Sequence, residues 1–136
     1  PDNRSERILT PHPGEAARLL GTTTIAIQTD RFAAVRSLQE RFGGTAILKG
    51  AGSLIATADA IHLCPWGNPG MASGGMGDLL AGIIGALHAQ GLGPDNAACA
   101  GVMVHARAGD DAALVAGERG LMASDLLPFL QQRVNP

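Results

Sequence analysis

Gly67-Asn68-Pro69-Gly70-Met71-Ala72-Ser73-Gly74-Gly75-Met76-Gly77-Asp78 runs without a break into Leu79-Leu80-Ala81-Gly82-Ile83-Ile84-Gly85-Ala86-Leu87. Glycine recurs through the first part, so the backbone is free to turn and a ligand can approach it closely. The second part carries Leu79, Leu80, Ile83, Ile84 and Leu87 at the i, i+3, i+4, i+7, i+8 spacing of a helix. A glycine-rich loop that opens a helix gathers free N–H groups and the positive end of the helix dipole at one point. That is an anion site, and phosphate is its usual occupant.

Asp78 stands where this helix is expected to begin. One reading makes it a cap or dipole partner of the helix. The other makes it a base at the edge of the anion hole. There it would take a proton from a hydroxyl that attacks a phosphoryl group, while the N–H groups stabilise the charge that develops. Two common phosphate motifs are excluded. The P-loop ends in Gly-Lys-Ser/Thr, which occurs nowhere in the chain, and the G-x-G-x-x-G fingerprint starting at Gly75 and Gly77 would need glycine where Leu80 stands.

Asn68 to Gly82 resembles the signature near the C-terminal end of the ADP/ATP-dependent NAD(P)H-hydrate dehydratases, a family of the ribokinase-like superfamily. Members share a Gly-x-Gly-Asp anion hole with a catalytic aspartate. The resemblance therefore implies Asp78 as the base, with the amides of Gly75, Met76 and Gly77 as the anion hole. It extends over most of the 136 residues.

Composition narrows the partners. One domain or less fits this length, and 46% apolar residues suffice for a core. A net charge of −2 offers no polyanion-binding balance, and Trp66, Phe32, Phe42 and Phe129, with no tyrosine, provide little base-stacking surface for nucleic acid. No apolar run is long enough to span a membrane, and no targeting segment is visible at Pro1-Asp2-Asn3-Arg4. Cys64 and Cys99 read as buried reduced thiols, so the expected compartment is the cytoplasm.

Earlier in the chain, Arg7-Ile8-Leu9-Thr10 reads as a strand stopped by Pro11. A helix follows, with Pro13 in its first turn, Glu15 near its N-terminus and Gly21 past its end. His12 falls on the strand-to-helix turn, where open α/β sheets bind ligands, or else it is a loop histidine without a role. The family carries Thr-Pro-His-Pro-Gly-Glu here, which implies that His12 contacts hydrated nicotinamide substrate. Residues 30–42 read as a second helix with Phe32, Val35, Leu38 and Phe42 on one face.

Thr45 to Lys49 reads as a buried strand, and Leu54–Thr57 with Ile61–Cys64 as a hairpin. Between them, Lys49-Gly50-Ala51-Gly52-Ser53 could bring a cation and bare N–H groups to a nucleotide. It resembles the family's Lys-Gly-x-x-Thr nucleotide segment, with Ser53 in place of threonine. Residues 95–116 form an expected alanine-rich helix with Ala98, Val102, His105 and Ala106 in one stripe. Residues 105–110 resemble another family region, while His105 and His88 read as packing residues. A last short helix is expected near Ser124-Asp125, with Ser124 as its N-cap and Pro128 tolerated near its start.

The expected fold is α/β, a layered sheet flanked by helices, corresponding to the C-terminal portion of a ribokinase-like, Rossmann-like three-layer domain over residues 1–136. The implied function is ADP- or ATP-dependent dehydration of hydrated NADH or NADPH, by phosphorylation of the ring hydroxyl and elimination. Mg²⁺ is expected with the nucleotide, although no carboxylate cluster marks its site. Asp78 and His12 would hold substrate; Lys49, Gly50, Ala51, Gly52, Ser53 and Gly77 would hold nucleotide. Two alternatives share these features: a small-molecule kinase of the same superfamily and a non-catalytic nucleotide-binding fragment. The chain reads as starting partway through a domain, so a homo-oligomer or completion by an N-terminal part is expected, with an open apolar sheet edge.

Overall fold

The sheet is built around Thr45-Ala46-Ile47-Leu48, whose four residues are all buried. Buried on both faces, this strand has no solvent side to favour alternation, and its sequence is accordingly apolar throughout apart from Thr45. The Thr45 hydroxyl is satisfied by donating to the Asp95 carboxylate. The computed structural model describes residues 4–135. Pro1 to Asn3 and Pro136 lie outside the described residues.

Four strands are hydrogen-bonded in sequence order: β1 (Ile8–Leu9), β2 (Thr45–Leu48), β3 (Ser53–Ala56) and β4 (Ile61–Cys64). β1 runs parallel to β2, whereas β3 and β4 are each antiparallel to their predecessor. The hairpin expected from residues 54–64 is present, with Ser53 opposite Cys64 and Ala56 opposite Ile61.

Alternation along the central strands separates two cores. On one face, Ala46, Leu48, Leu54 and Ala56 pack against α1 (Pro13–Leu20), α2 (Thr24–Thr29) and α3 (Arg31–Phe42). On the other, Ile47, Ile55 and Cys64 pack against α4 (Met76–Ala89) and α5 (Pro94–Ala116). The result is helix, sheet, helix: the layered α/β arrangement expected. Beyond the sheet, Met76, Ala108, Ala112, Leu121, Leu126 and Leu130 form a third cluster that seats α6 (Leu127–Val134). Full burial of a Leu or Ile side chain such as Leu38 or Ile47 contributes about 1.5–3 kcal/mol.

Several expectations need correction. α2 is additional, and it forms because Thr23 caps its start by accepting from the Ala26 N–H. Asp30 ends it and then caps α3 through the Ala33 N–H. Phe32 is exposed, and Val35 and Leu38 with Ala34 form the buried face of α3. The last helix starts at Leu127 rather than beside Ser124. Ala123–Leu126 is a 3-10 turn whose N-cap is Met122, with the Asp125 carboxylate accepting from the Met122 N–H. His88 is exposed, and its Nδ1 lies 2.8 Å from the Leu92 carbonyl instead of packing in a core. His105 is buried, and Cys64 and Cys99 are free thiols. No described helix is long and apolar enough to cross a membrane.

Candidate active site

Strand direction brings the chemical residues to one edge of the sheet. The C-terminal ends of β1, β2 and β4 and the N-terminal end of β3 all lie there, following the parallel and antiparallel pairings. His12 follows β1, Lys49 follows β2, Ser53 opens β3, and Cys64 closes β4. The edge therefore reads, in spatial order, His12, Lys49, Ser53, Cys64. The Lys49 N–H donates to the Pro11 carbonyl at 2.9 Å, which holds the first two side by side.

His12 is the N-cap of α1. Its Nδ1 accepts from the Gly14 and Glu15 N–H groups at 3.0 and 3.3 Å, and Glu15 Oε2 accepts from the His12 N–H at 2.7 Å. Two donors converging on Nδ1 place the proton of the neutral ring on Nε2. Nε2 lies 3.5 Å from Glu15 Oε1, and the side chain is about half exposed. The His12 N–H, ahead of the Lys49 ammonium, holds the Glu15 carboxyl below its usual range. Sequence reading gave Glu15 only a helix-starting role. Here its carboxylate also lies 3.7 Å from Lys49 Nζ and so joins the histidine to the lysine.

The turn after Lys49 is clamped from α3. Arg31 donates to the carbonyls of Ala51 at 2.6 Å, Leu48 at 3.3 Å and Lys49 at 3.4 Å. Gly52 has φ of 67°, and the Ser53 hydroxyl donates to the Gly50 carbonyl at 3.2 Å. Nothing in the sequence singles out Arg31, because its partners lie some twenty residues away.

The glycine-rich loop meets this turn. Gly75, with φ of 86°, is the N-cap of α4, so the helix begins at Met76 and Asp78 is its third residue. A Cβ at Gly77 would stand 2.9 Å from Lys49 Nζ, so glycine is what lets the ammonium reach the helix N-terminus. A cation thus meets the first turn of α4, whose start no side chain caps, an arrangement suited to a phosphate. The loop is fixed elsewhere by contacts the sequence does not disclose. Asp110 accepts from the Gly67 N–H and from Asn68 Nδ2, both at 3.0 Å, and Ser73 donates to the Leu121 carbonyl at 2.9 Å.

These segments line a cavity of about 660 Å³. His12, Lys49, Gly50, Ala51, Gly52, Ser53, Met76 and Gly77 are in its wall, together with Trp66 and His105. Asp78 and Gly75 are outside that wall. Asp78 is exposed in the first turn of α4, so any substrate it serves must lie across the cavity mouth. Burial pushes the Cys64 thiol up and lowers His105 to about 4, so that neither carries a charge at neutral pH.

A family model described as NAD(P)H-hydrate dehydratase matches residues 1–132. The chain is 56% identical over 137 residues to a bifunctional NAD(P)H-hydrate repair enzyme of Coxiella burnetii, covering 100% of this chain and 28% of that protein. It is 50% identical to an ADP-dependent (S)-NAD(P)H-hydrate dehydratase of Neisseria meningitidis, covering 93% of this chain and 45% of that one. Among solved structures, the ADP/ATP-dependent NAD(P)H-hydrate dehydratase of Bacillus subtilis, co-crystallized with ATP/Mg²⁺, matches with a TM-score of 0.83. Identity there is 31%, over 93% of this chain and 46% of that chain. A ribokinase-like superfamily protein of Enterococcus faecalis matches with a TM-score of 0.73 at 31% identity, over 95% of this chain and 45% of that one. The fold is the ribokinase-like one, and the chain spans less than half the length of each of these relatives.

Proposed function

The chain belongs to the NAD(P)H-hydrate dehydratase family, and from that footing we propose that it serves the ADP- or ATP-dependent dehydration of hydrated NADH or NADPH. The observation that carries the reading is the approach of Lys49 Nζ to Gly77 in a cavity shared with His12. Lys49 and the amides of Gly75, Met76 and Gly77 hold the terminal phosphoryl group. The segment from Gly50 through Ala51 and Gly52 to Ser53 holds the rest of the nucleotide. His12 donates from Nε2 to the substrate.

Asp78 accepts the proton of the ring hydroxyl as that oxygen attacks the phosphoryl group. The donor leaves as AMP when it is ADP, or as ADP when it is ATP. Phosphate then departs from the ester with the C–O electron pair, and loss of a proton from the neighbouring ring carbon restores the double bond. The donors aimed at the phosphoryl group stabilise charge as it builds, and Asp78 belongs to the same first turn of α4 as Met76 and Gly77.

Mg²⁺ fits this site only as a companion of the nucleotide. Among the described residues no group of three His, Cys, Asp or Glu side chains could hold an ion, so phosphate oxygens and water would supply most of its ligands. Its contribution when bound is to neutralise phosphate charge. A fuller site is proposed to draw on further chain or on a second copy, for which the outer edge of the two-residue strand β1 offers a pairing position.

In the complete enzyme, incubation of hydrated NADH with ADP tests the reading: reduced-nicotinamide absorbance should return with one phosphate released per turnover. Accumulation of a phosphorylated alcohol would make the protein a kinase instead. Gly52→Val supplies a second test. Space around Gly52 is ample, but valine at φ of 67° is strained, so the turn must shift. ADP affinity should fall about tenfold, while strain of about 1–2 kcal/mol lowers the thermal transition by several degrees without unfolding the domain. An ADP titration identical to wild type would reduce the segment to an ordinary strand-end turn.

A further inference from the structure

We infer that Trp66 is the platform on which the purine ring of the nucleotide stacks, with Arg107 as its cationic backing. The inference rests on the nucleotide-binding reading above and extends it to the base. Its starting point is the order of groups along the sheet edge. His12 follows β1, Lys49 follows β2, and the pairing of Ser53 with Cys64 carries the nucleotide segment across to β4. Trp66 stands two residues beyond Cys64, in the wall of the same cavity.

Across three strand spacings, β1 and β4 are about 14 Å apart. With phosphate at Lys49 and Gly77, two directions are open to the ligands. The one toward His12 is taken by the nicotinamide substrate. The other runs past Gly52 and Ser53 to Trp66, and the nucleoside must take it.

The far end has the surface a base needs. Trp66 lies in the cavity wall and is 41% exposed, so its ring is open to a ligand there. The Arg107 guanidinium lies over the indole, 5.2 Å from its centroid. That contact covers one ring face, fixes the ring's orientation, and draws electron density toward the cation. An electron-rich purine stacks well on a ring polarised in this way.

Equilibrium titrations with ADP and with inorganic pyrophosphate, on wild type, Trp66→Ala and Trp66→Phe, decide the matter. Trp66→Ala should weaken ADP by about tenfold or more, and Trp66→Phe by less than about threefold, as expected for loss or retention of a stacking ring. Pyrophosphate, which has no base, should bind all three alike. Trp66 is the single tryptophan of the chain, so its emission should be quenched by ADP and not by pyrophosphate. Equal ADP affinity in wild type and Trp66→Ala would overturn the assignment. So would an equal loss of ADP and pyrophosphate, since Trp66 would then act by shaping the loop, or a loss confined to hydrated NADH, which would make it a substrate contact. If wild type bound neither ADP nor pyrophosphate, the nucleotide reading itself would fall and this inference with it.

Discussion

In the complete enzyme, Asp78→Asn is expected to lower turnover of hydrated NADH by about 10²–10⁴-fold, the usual contribution of a positioned base, while ADP affinity stays within a few fold of wild type. Asparagine keeps the shape and the place in the first turn of α4 but cannot accept the proton. The split follows from where Asp78 stands: it is exposed and lies outside the cavity wall that Lys49 and Gly77 form. Single-turnover rates with saturating ADP would separate chemistry from binding. A variant retaining more than about a tenth of the wild-type rate would put the base elsewhere, and Asp78 would revert to a dipole partner of its helix.

The second large effect concerns acid. His105 is 8% exposed, and its Nε2 is buried with no hydrogen-bond partner among the described residues. Burial holds its pKa at about 4, against 6.5 for an imidazole in water. The unfolded chain therefore takes up a proton as pH falls through 6.5, whereas the folded protein resists until about 4. Stability contributed by keeping this ring neutral is fully present above the higher value and is lost progressively between the two. The loss amounts to about 3 kcal/mol by pH 4. Urea titrations at pH 7, 5.5 and 4 should show that decline in wild type and a shallower one in His105→Gln. Parallel slopes for the two proteins would remove His105 as the cause. The comparison is needed because Glu15 and Asp111, whose carboxyls the His12 N–H and Arg133 hold low, also lose their contributions on acidification, at lower pH.

Local chemistry explains what the sequence discloses of this molecule. β2 is legible because burial on both faces demands an apolar run such as Ala46-Ile47-Leu48, and the β3–β4 hairpin because its two apolar runs flank a short turn at Ala58-Asp59-Ala60. α5 announces itself through 23 residues of sustained spacing. α2 is not legible: with six residues it has too few positions for a period, and it depends on caps at both ends. The Met76 start of α4 and the displaced start of α6 are boundary effects of one or two residues, set by Gly75 and by the 3-10 turn at residues 123–126.

The same division runs through the site. His12, the 49–53 turn and the 67–78 loop are motifs contiguous in sequence, so their residue types give them away. Arg31 with Ala51, Asp110 with Gly67, and Arg107 with Trp66 are contacts across 20 to 43 residues. No spacing rule connects such pairs. Glu15 is an intermediate case: its capping role follows from its distance to His12, but its ion pair with Lys49 exists only once β1 and β2 have paired.

The glycine-rich loop would seem the most pliable part of the chain, yet it is tied down at three places. Asp110 holds Gly67 and Asn68, Leu121 holds Ser73, and Met76 is anchored in the third core cluster. The cost of ordering the loop is therefore met when the domain folds, not when an anion arrives. With the loop already ordered, binding need not overcome a disordered ensemble, and the hole should respond to phosphate with little rearrangement. Glycine serves here to permit a rigid shape that no other residue could hold.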